Sequence, residues 1–404
     1  MSSNYVLLPK IPVVPPKVEL ISLSQLRSNH TMVESFKSGP CGLDFESNGP
    51  DPTAQDFEVR TVGLANDSYC ISLDLLGAQE ADLSALWAFL STLEYVAHNC
   101  QFEGGVLKKY SGSIGNMICD TFGVFGHLAT ERRQPLGLDA AMDELLGLKK
   151  EGDKVKDHMK ANKWTWADVN KFDFEILGRY NAIDAYGHWE LYKYFCKVVD
   201  SYKDTWGQYF WQFHREDFLI GEVENQIEAK FLGIDIDEKE LKSTLADHIG
   251  KQHNAMNAFL NNDEIETYIN EYNSEILKSY IEGEPPKHKK NGDIAVRWEN
   301  WNNRTAEVTN TQHFNTNSST QLRWLFFEKM GLIPHKYTDK GEPSTDEASL
   351  KQLGIHGALL LKYRKLTTEI KFMKQIDLTM VDGKIRPSVK VPGTVSSRAA
   401  GGSL

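Results

Sequence analysis

The stretch Cys41-Gly42-Leu43-Asp44-Phe45-Glu46-Ser47 alternates acidic and apolar side chains. In a β-strand, alternate side chains share a face. Asp44 and Glu46 then lie side by side, with Leu43 and Phe45 buried behind them. Neighbouring carboxylates repel one another unless a cation sits between them, and hard cations such as Mg²⁺ take oxygen ligands. Taken alone, the pattern supports two readings: a strand with one polar face, or half of a metal site.

The rest of the chain sets bounds. Its 404 residues suffice for two or three domains. Hydrophobic residues make up 41% and charged residues 25%, the balance of a soluble globular protein with no membrane partner. No run of about 18 apolar residues suggests a membrane span, and residues 1–17 lack the pattern of a signal peptide. The five cysteines show no C-x-x-C pairing. That count suits a reducing compartment such as the cytoplasm and argues against structural zinc. The net charge of −11 argues against a surface coated with basic groups for nucleic acid, though not against a local basic track.

Outward from Asp44, residues 41–200 alternate strand and helix. Pro9, Pro12, Pro15 and Pro16 keep the preceding segment extended, and one short helix is expected over 23–37. Residues 59–76 read as two strands around the turn Asn66-Asp67-Ser68. Leu83, Leu86, Trp87, Leu90 and Leu93 recur at helical spacing. A strand at 95–98, a helix at 105–110 and a strand at 117–120 follow. Three antiparallel strands and then β-α-β describe a mixed α/β sheet. Residues 149–170 suit a solvated linking segment, and a long helix runs from 174 to about 199. From about residue 205 the pattern is mainly helical, with helices expected over 211–231, 238–260, 319–330 and 347–374. Asp237 is placed to cap the second of these. Residues 261–313 read as irregular and polar, and 383–404 as strand material.

Two further carboxylates complete a constellation. Glu103 follows Ala97-His98-Asn99-Cys100-Gln101-Phe102. Asp184 stands four residues after Tyr180, so the two share a helix face. Phe102 reads as a core aromatic, His98 has no second histidine at ligand spacing, and Asp120 fits a helix N-cap.

D-x-E on the first strand, N-x-x-F-acid after a later one and Y-x-x-x-D on a helix together resemble the DEDD-type 3′–5′ exonucleases. The tyrosine in the third motif resembles the proofreading domain of family A DNA polymerases. The resemblance implies a ribonuclease H-like fold and two divalent ions, Mg²⁺ or Mn²⁺, held by Asp44, Glu46, Glu103 and Asp184. Such ions, about 3.5–4 Å apart, serve both the attacking and leaving oxygens of a phosphodiester. It also implies that Tyr180 orients the attacking water, that Asn99 touches the terminal nucleotide, and that 5′-nucleotides leave a DNA 3′ end. The family usually carries aspartate where this chain has Glu103. The extra methylene leaves three expectations: ordinary activity, a preference for Mn²⁺, or a degenerate site.

The resemblance continues. Residues 222–241 are similar to the start of a family A polymerase thumb, Phe314–Ser318 with Gln321-Leu322 to a thumb tip, and Tyr337–Asp346 to the hairpin that follows in polymerases of bacterial viruses. Gly393-Thr394-Val395-Ser396-Ser397-Arg398 resembles the approach to a palm. The organisation implied is an exonuclease domain at 1–204, a thumb at 205–382 with an insertion at 261–313, and an incomplete palm start at 383–404. Asn315, Asn317, Ser318 and Arg364 match positions that would meet the backbone of primer-template DNA. Helix capping is the other reading of the Asn and Ser residues. The insertion, with its basic run Lys287-His288-Lys289-Lys290, is expected either to bind a processivity factor, to meet DNA phosphates, or to be a solvated loop. No palm or fingers motif is found. No synthesis is therefore expected from this chain alone, and a separate palm-and-fingers chain, or a truncated product, is expected. The alternative function is a degenerate exonuclease-thumb module that clamps primer-template DNA for such a partner. A free-standing RNA-trimming nuclease is a third.

Overall fold

The computed structural model describes residues 8–14, 16–129, 137–149, 154–282, 314–390 and 400–401. By compactness the chain forms two units, Met1–Ile234 with Lys384–Leu404, and Asp235–Gly383.

The first unit is built on a six-stranded mixed sheet. Its strands are β1 (Glu19–Ile21), β2 (Cys41–Ser47), β3 (Val59–Ala65), β4 (Cys70–Asp74), β5 (Glu94–Ala97) and β6 (Asn116–Asp120), in spatial order β1-β4-β3-β2-β5-β6. The strands β2, β3 and β4 run antiparallel, while β5 joins β2, and β6 joins β5, in parallel. This is the mixed α/β class expected from the sequence. The helices of the unit are α1 (Leu23–Ser28), α2 (His30–Lys37), α3 (Glu80–Leu90), α4 (Gln101–Ser111), α5 (Thr121–Leu128), α6 (Leu138–Ala141), α7 (Lys154–Asn162) and α8 (Phe174–Ser201). After them, α9 (Gln208–Phe213) and α10 (Asn225–Leu232) are joined by a wide-turned segment, His214–Glu224.

One face of the sheet carries Leu43, Phe45, Val62, Leu64, Ile71 and Leu73 into a core shared with α3 and α4. On the other face lies α8, and glycines set how close it comes. A Cβ on Gly42 would stand 1.9 Å from the carbonyl oxygen of Ala185, and one on Gly63 would stand 2.6 Å from that of Asn181. Only residues without a side chain let the helix backbone rest on these strands. Phe218, Leu219, Val223 and Ile227 also join the sheet's core, so the helical run beyond residue 204 packs with the sheet unit.

The second unit is helical. Its principal helices are α11 (Glu238–Leu260), α12 (Asp263–Glu282) and the C-terminal Gly354–Thr379. Phe259, Ile265, Ile269, Phe314, Leu322, Phe326, Leu350 and Leu360 form its core. The Asp237 side chain accepts the Glu240 N–H at 2.9 Å, capping α11 as expected.

Four local expectations are corrected. The helix expected over 23–37 is two helices, because Asn29 leaves helical geometry and its side chain accepts the Met32 N–H. The linking segment 149–170 holds α7 and the tight turn Trp166–Lys171, anchored where Val155 and Val169 pack with Phe172 and Leu177. Within 261–313, α12 forms because Ile265 and Ile269, one helical turn apart, are both buried. The helix expected over 347–374 breaks at Gln352–Leu353, where Gly354 takes a left-handed φ of +60°. Lys287–Lys290 and Gly393–Arg398 lie outside the described residues. Among those described, no helix is long and apolar enough to cross a membrane.

Candidate metal centre

Two elements deliver three acidic side chains. Strand β2 supplies Asp44 and Glu46 on the face toward α8, and α8 supplies Asp184. Oxygens from all three carboxylates lie within 4.8 Å of one another. Asp184 is 5% exposed and Glu46 is 8%. Three carboxylates converging at that depth make a hard, anionic oxygen donor set, which matches a divalent cation. One helical turn before Asp184 stands Tyr180. Its phenol is pushed well above its ordinary pKa by burial, then by the charges of Asp184, Glu46, Asp139 and Asp44. It therefore keeps its proton, which leaves an O–H available to donate.

Glu103 lies in the first turn of α4, which begins at Gln101, four residues before the helix start expected from the sequence. It is 4% exposed, and its Oε2 has no hydrogen-bond partner among the described residues. Burial, and then the charge of Asp44, holds its pKa well above the ordinary value. Glu103 is thus close enough to feel Asp44 without joining the tight group of three. A buried carboxyl oxygen with no partner beside that group is a further donor that fits a cation.

Residues to which the sequence assigned no part in the site hold this arrangement. Asn181, fully buried on α8, donates from Nδ2 to Asp44 Oδ2 at 2.7 Å. His188, one turn beyond Asp184, contacts the Leu43 carbonyl oxygen through Nδ1 at 2.8 Å, and its Nε2 lies 4.0 Å from Asp44 Oδ1. Asp120, at the end of β6, was expected only as a cap. It does cap α5, accepting the N–H groups of Phe122 and Gly123. It also accepts the N–H groups of Asn99 and Cys100, each at 3.0 Å. That grip holds Asn99 at a left-handed φ of +76° and fixes where α4 starts. Burial pushes the Asp120 carboxyl up to about 6, against these four donors. The Asp120 N–H in turn donates to His214 Nε2 at 3.1 Å. Asn99 itself is exposed beside the start of α4 and lines a cavity of about 290 Å³ with Phe102, Pro52, Lys230 and Phe231.

The thumb-like candidates lie in the second unit. Ser318 caps the helix Ser319–Arg323, accepting the Gln321 N–H at 3.3 Å. The Asn315 side chain accepts the Asn317 N–H at 2.9 Å, and Arg364 donates to the Thr345 carbonyl at 2.9 Å. Asn315 and Asn317 are exposed. Ser318 and Arg364 are engaged within the unit.

Residues 287–401 match the family model for DNA polymerase family A. Over 89 residues the chain is 37% identical to a DNA polymerase of Bacillus phage SP01, which covers 21% of this chain and 10% of that protein. Over 98 residues it is 39% identical to a DNA polymerase of Escherichia phage T5, covering 23% and 12%. The chain thus spans only 10% and 12% of the length of these curated relatives. Among solved structures, it is similar to the POL domain of Pol1 from M. smegmatis in complex with DNA primer-template and dNTP. The TM-score is 0.60 at 13% identity, over 96% of this chain and 54% of that one. At that identity the likeness speaks for the fold alone. The acidic cluster lies outside the stretch that matches the family model.

Proposed function

We propose that this chain is a metal-dependent 3′–5′ exonuclease that trims DNA 3′ ends, the proofreading and thumb portion of a family A DNA polymerase. One observation carries the reading: Asp44, Glu46 and Asp184 converge within 4.8 Å, with Tyr180 and Glu103 electrostatically coupled to them. The polymerase half of the proposal is supported by the match over residues 287–401.

Asp44, Glu46, Glu103 and Asp184 would hold the ions. Bound Mg²⁺ or Mn²⁺ would supply Lewis-acid stabilisation of charge on phosphodiester oxygens. The chain's own groups do the rest. Tyr180 stays protonated and donates a hydrogen bond that orients water. Asn99, exposed in its strained turn, is free to meet the terminal nucleotide. The thumb residues Asn315 and Asn317 offer exposed amides to phosphate without reading sequence. A palm-and-fingers chain and a processivity factor are the partners this reading carries. The five free cysteines, four of them buried, suit a reducing intracellular setting.

Labelled single-stranded DNA tests the reading. The wild type releases 3′-terminal label with Mg²⁺ or Mn²⁺, and Asp44→Ala loses at least about 10²-fold in rate, as expected when a charge-stabilising group is removed. A wild type that releases no label with either ion overturns it. Glu103 favours a second reading, a degenerate site that only clamps primer-template DNA. That reading requires DNA binding without metal-dependent cleavage in the same assay.

A further inference from the structure

Strand register places Asp44, Gly63 and Ser72 in one row across β2, β3 and β4. The two outer members carry polar side chains, and the middle one carries none. Asn181 of α8 fills the space above the glycine. A Cβ on Gly63 would stand 2.6 Å from the Asn181 carbonyl oxygen and 3.1 Å from its Cγ. From there the Asn181 amide spans the row. Ser72 Oγ donates to Asn181 Oδ1 at 2.8 Å, and Asn181 Nδ2 donates to Asp44 Oδ2 at 2.7 Å.

Both Ser72 and Asn181 are fully buried, so no water competes for these bonds. The direction of the chain of bonds is fixed. A carboxylate only accepts, so the amide must turn its NH₂ to Asp44 and its oxygen to Ser72. The serine hydroxyl must then donate.

We infer that Asn181, set by Ser72 and seated over Gly63, is the positioning residue for Asp44, fixing the rotation of that carboxylate toward Glu46 and Asp184. The inference rests on the metal reading proposed above. It assigns Asn181 no contact with substrate. Holding a ligand carboxylate by one of its oxygens lowers the entropy lost when a cation is taken up. Loss of such a supporting bond typically weakens metal affinity by about 10–100-fold.

Mn²⁺ titration by calorimetry, with melting temperatures and circular dichroism recorded in EDTA, tests this without any turnover. Asn181→Ala is expected to bind Mn²⁺ about 10–100-fold more weakly than wild type. Ser72→Ala, which removes only the group that orients the amide, is expected to lose affinity in the same direction and by less. If Asn181→Ala does not fold, Ser72→Ala decides. A merely structural role would lower the melting temperature and leave the Mn²⁺ affinity of the folded variants unchanged. That result overturns the inference and leaves the metal site standing. Absence of Mn²⁺ binding in the wild type overturns both.

Discussion

Replacing Glu103 with glutamine is expected to stabilise the metal-free protein. Glu103 is 4% exposed, and its Oε2 has no partner among the described residues. An unpartnered buried polar group costs about 1–3 kcal/mol, and more when charged. Burial and the charge of Asp44 raise its folded pKa well above the ordinary 4.5. A group raised on folding contributes its stability below the unfolded value and loses it as pH rises through the folded one. In EDTA the wild type therefore loses stability from just above pH 4.5 upward. Glutamine is neutral in both states and lacks this dependence. At roughly 2–4 °C per kcal/mol, Glu103→Gln should melt a few degrees above wild type at pH 8, and the gap should narrow at pH 5. Adding Mn²⁺ reverses the order. Ligand at 100 times its dissociation constant stabilises by about 2.7 kcal/mol, and the variant has lost one of the groups proposed to bind it. Paired thermal melts at the two pH values, with and without Mn²⁺, make the check. A variant that melts at or below wild type in EDTA at pH 8, or a gap that ignores pH, refutes the reasoning.

Two other predictions concern the scaffold. Gly42→Ala puts a Cβ 1.9 Å from the Ala185 carbonyl oxygen and 3.0 Å from the Trp189 nitrogen. Backbone cannot swing aside, so α8 must retreat by roughly 1 Å, at about 1–3 kcal/mol. Asp184 adjoins Ala185, so label release should fall about 10²-fold in protein that still folds; wild-type turnover counts against the packing account. Asp120→Ala removes one acceptor from four backbone N–H groups and frees the left-handed Asn99. It should cost at least about 1 kcal/mol, the usual loss for a cap, and raise KM for the DNA end while Mn²⁺ affinity holds. Steady-state kinetics beside Mn²⁺ titration separates the two effects, and weakened Mn²⁺ binding with unchanged KM contradicts the assignment.

Legibility followed periodicity. The alternation Leu43-Asp44-Phe45-Glu46 gave the strand and its acidic face. The four-residue spacing of Tyr180 and Asp184 gave the helix face. Both are local signals of period two and 3.6. Asn181 carries no such signal. It is one residue from Tyr180, and its task depends on the register that sets Gly63 and Ser72 beside Asp44. No spacing within one segment reveals a bond between residues 137 apart. The same holds for Asp120, whose capping role is local and legible, while its grip on Asn99 arises only where β5 and β6 lie in parallel. In the second unit, α12 was hidden because Ile265 and Ile269 stand among glutamates, asparagines and tyrosines, a composition that reads as loop until the core is seen.

The energetics of the acidic cluster weigh between the two readings of the site. Three carboxylates within 4.8 Å repel one another, and the buried Glu103 adds a fourth group that gains nothing from the fold in the absence of a cation. Such an arrangement is destabilising unless opposite charge offsets it. A module that only clamped DNA would need none of these four groups at this depth, and relaxing any of them would stabilise it. Yet the surrounding scaffold is built to hold them in place. Glycine at 42 and 63 admits α8 against the strands, Asn181 braces Asp44 over a bare position, and Asp120 pins the turn that begins α4. Rigid support around mutually repelling groups is how a fold stores affinity for a cation. On the proposed reading, the glutamate at 103 would set how strongly a second ion is held, rather than whether the site works.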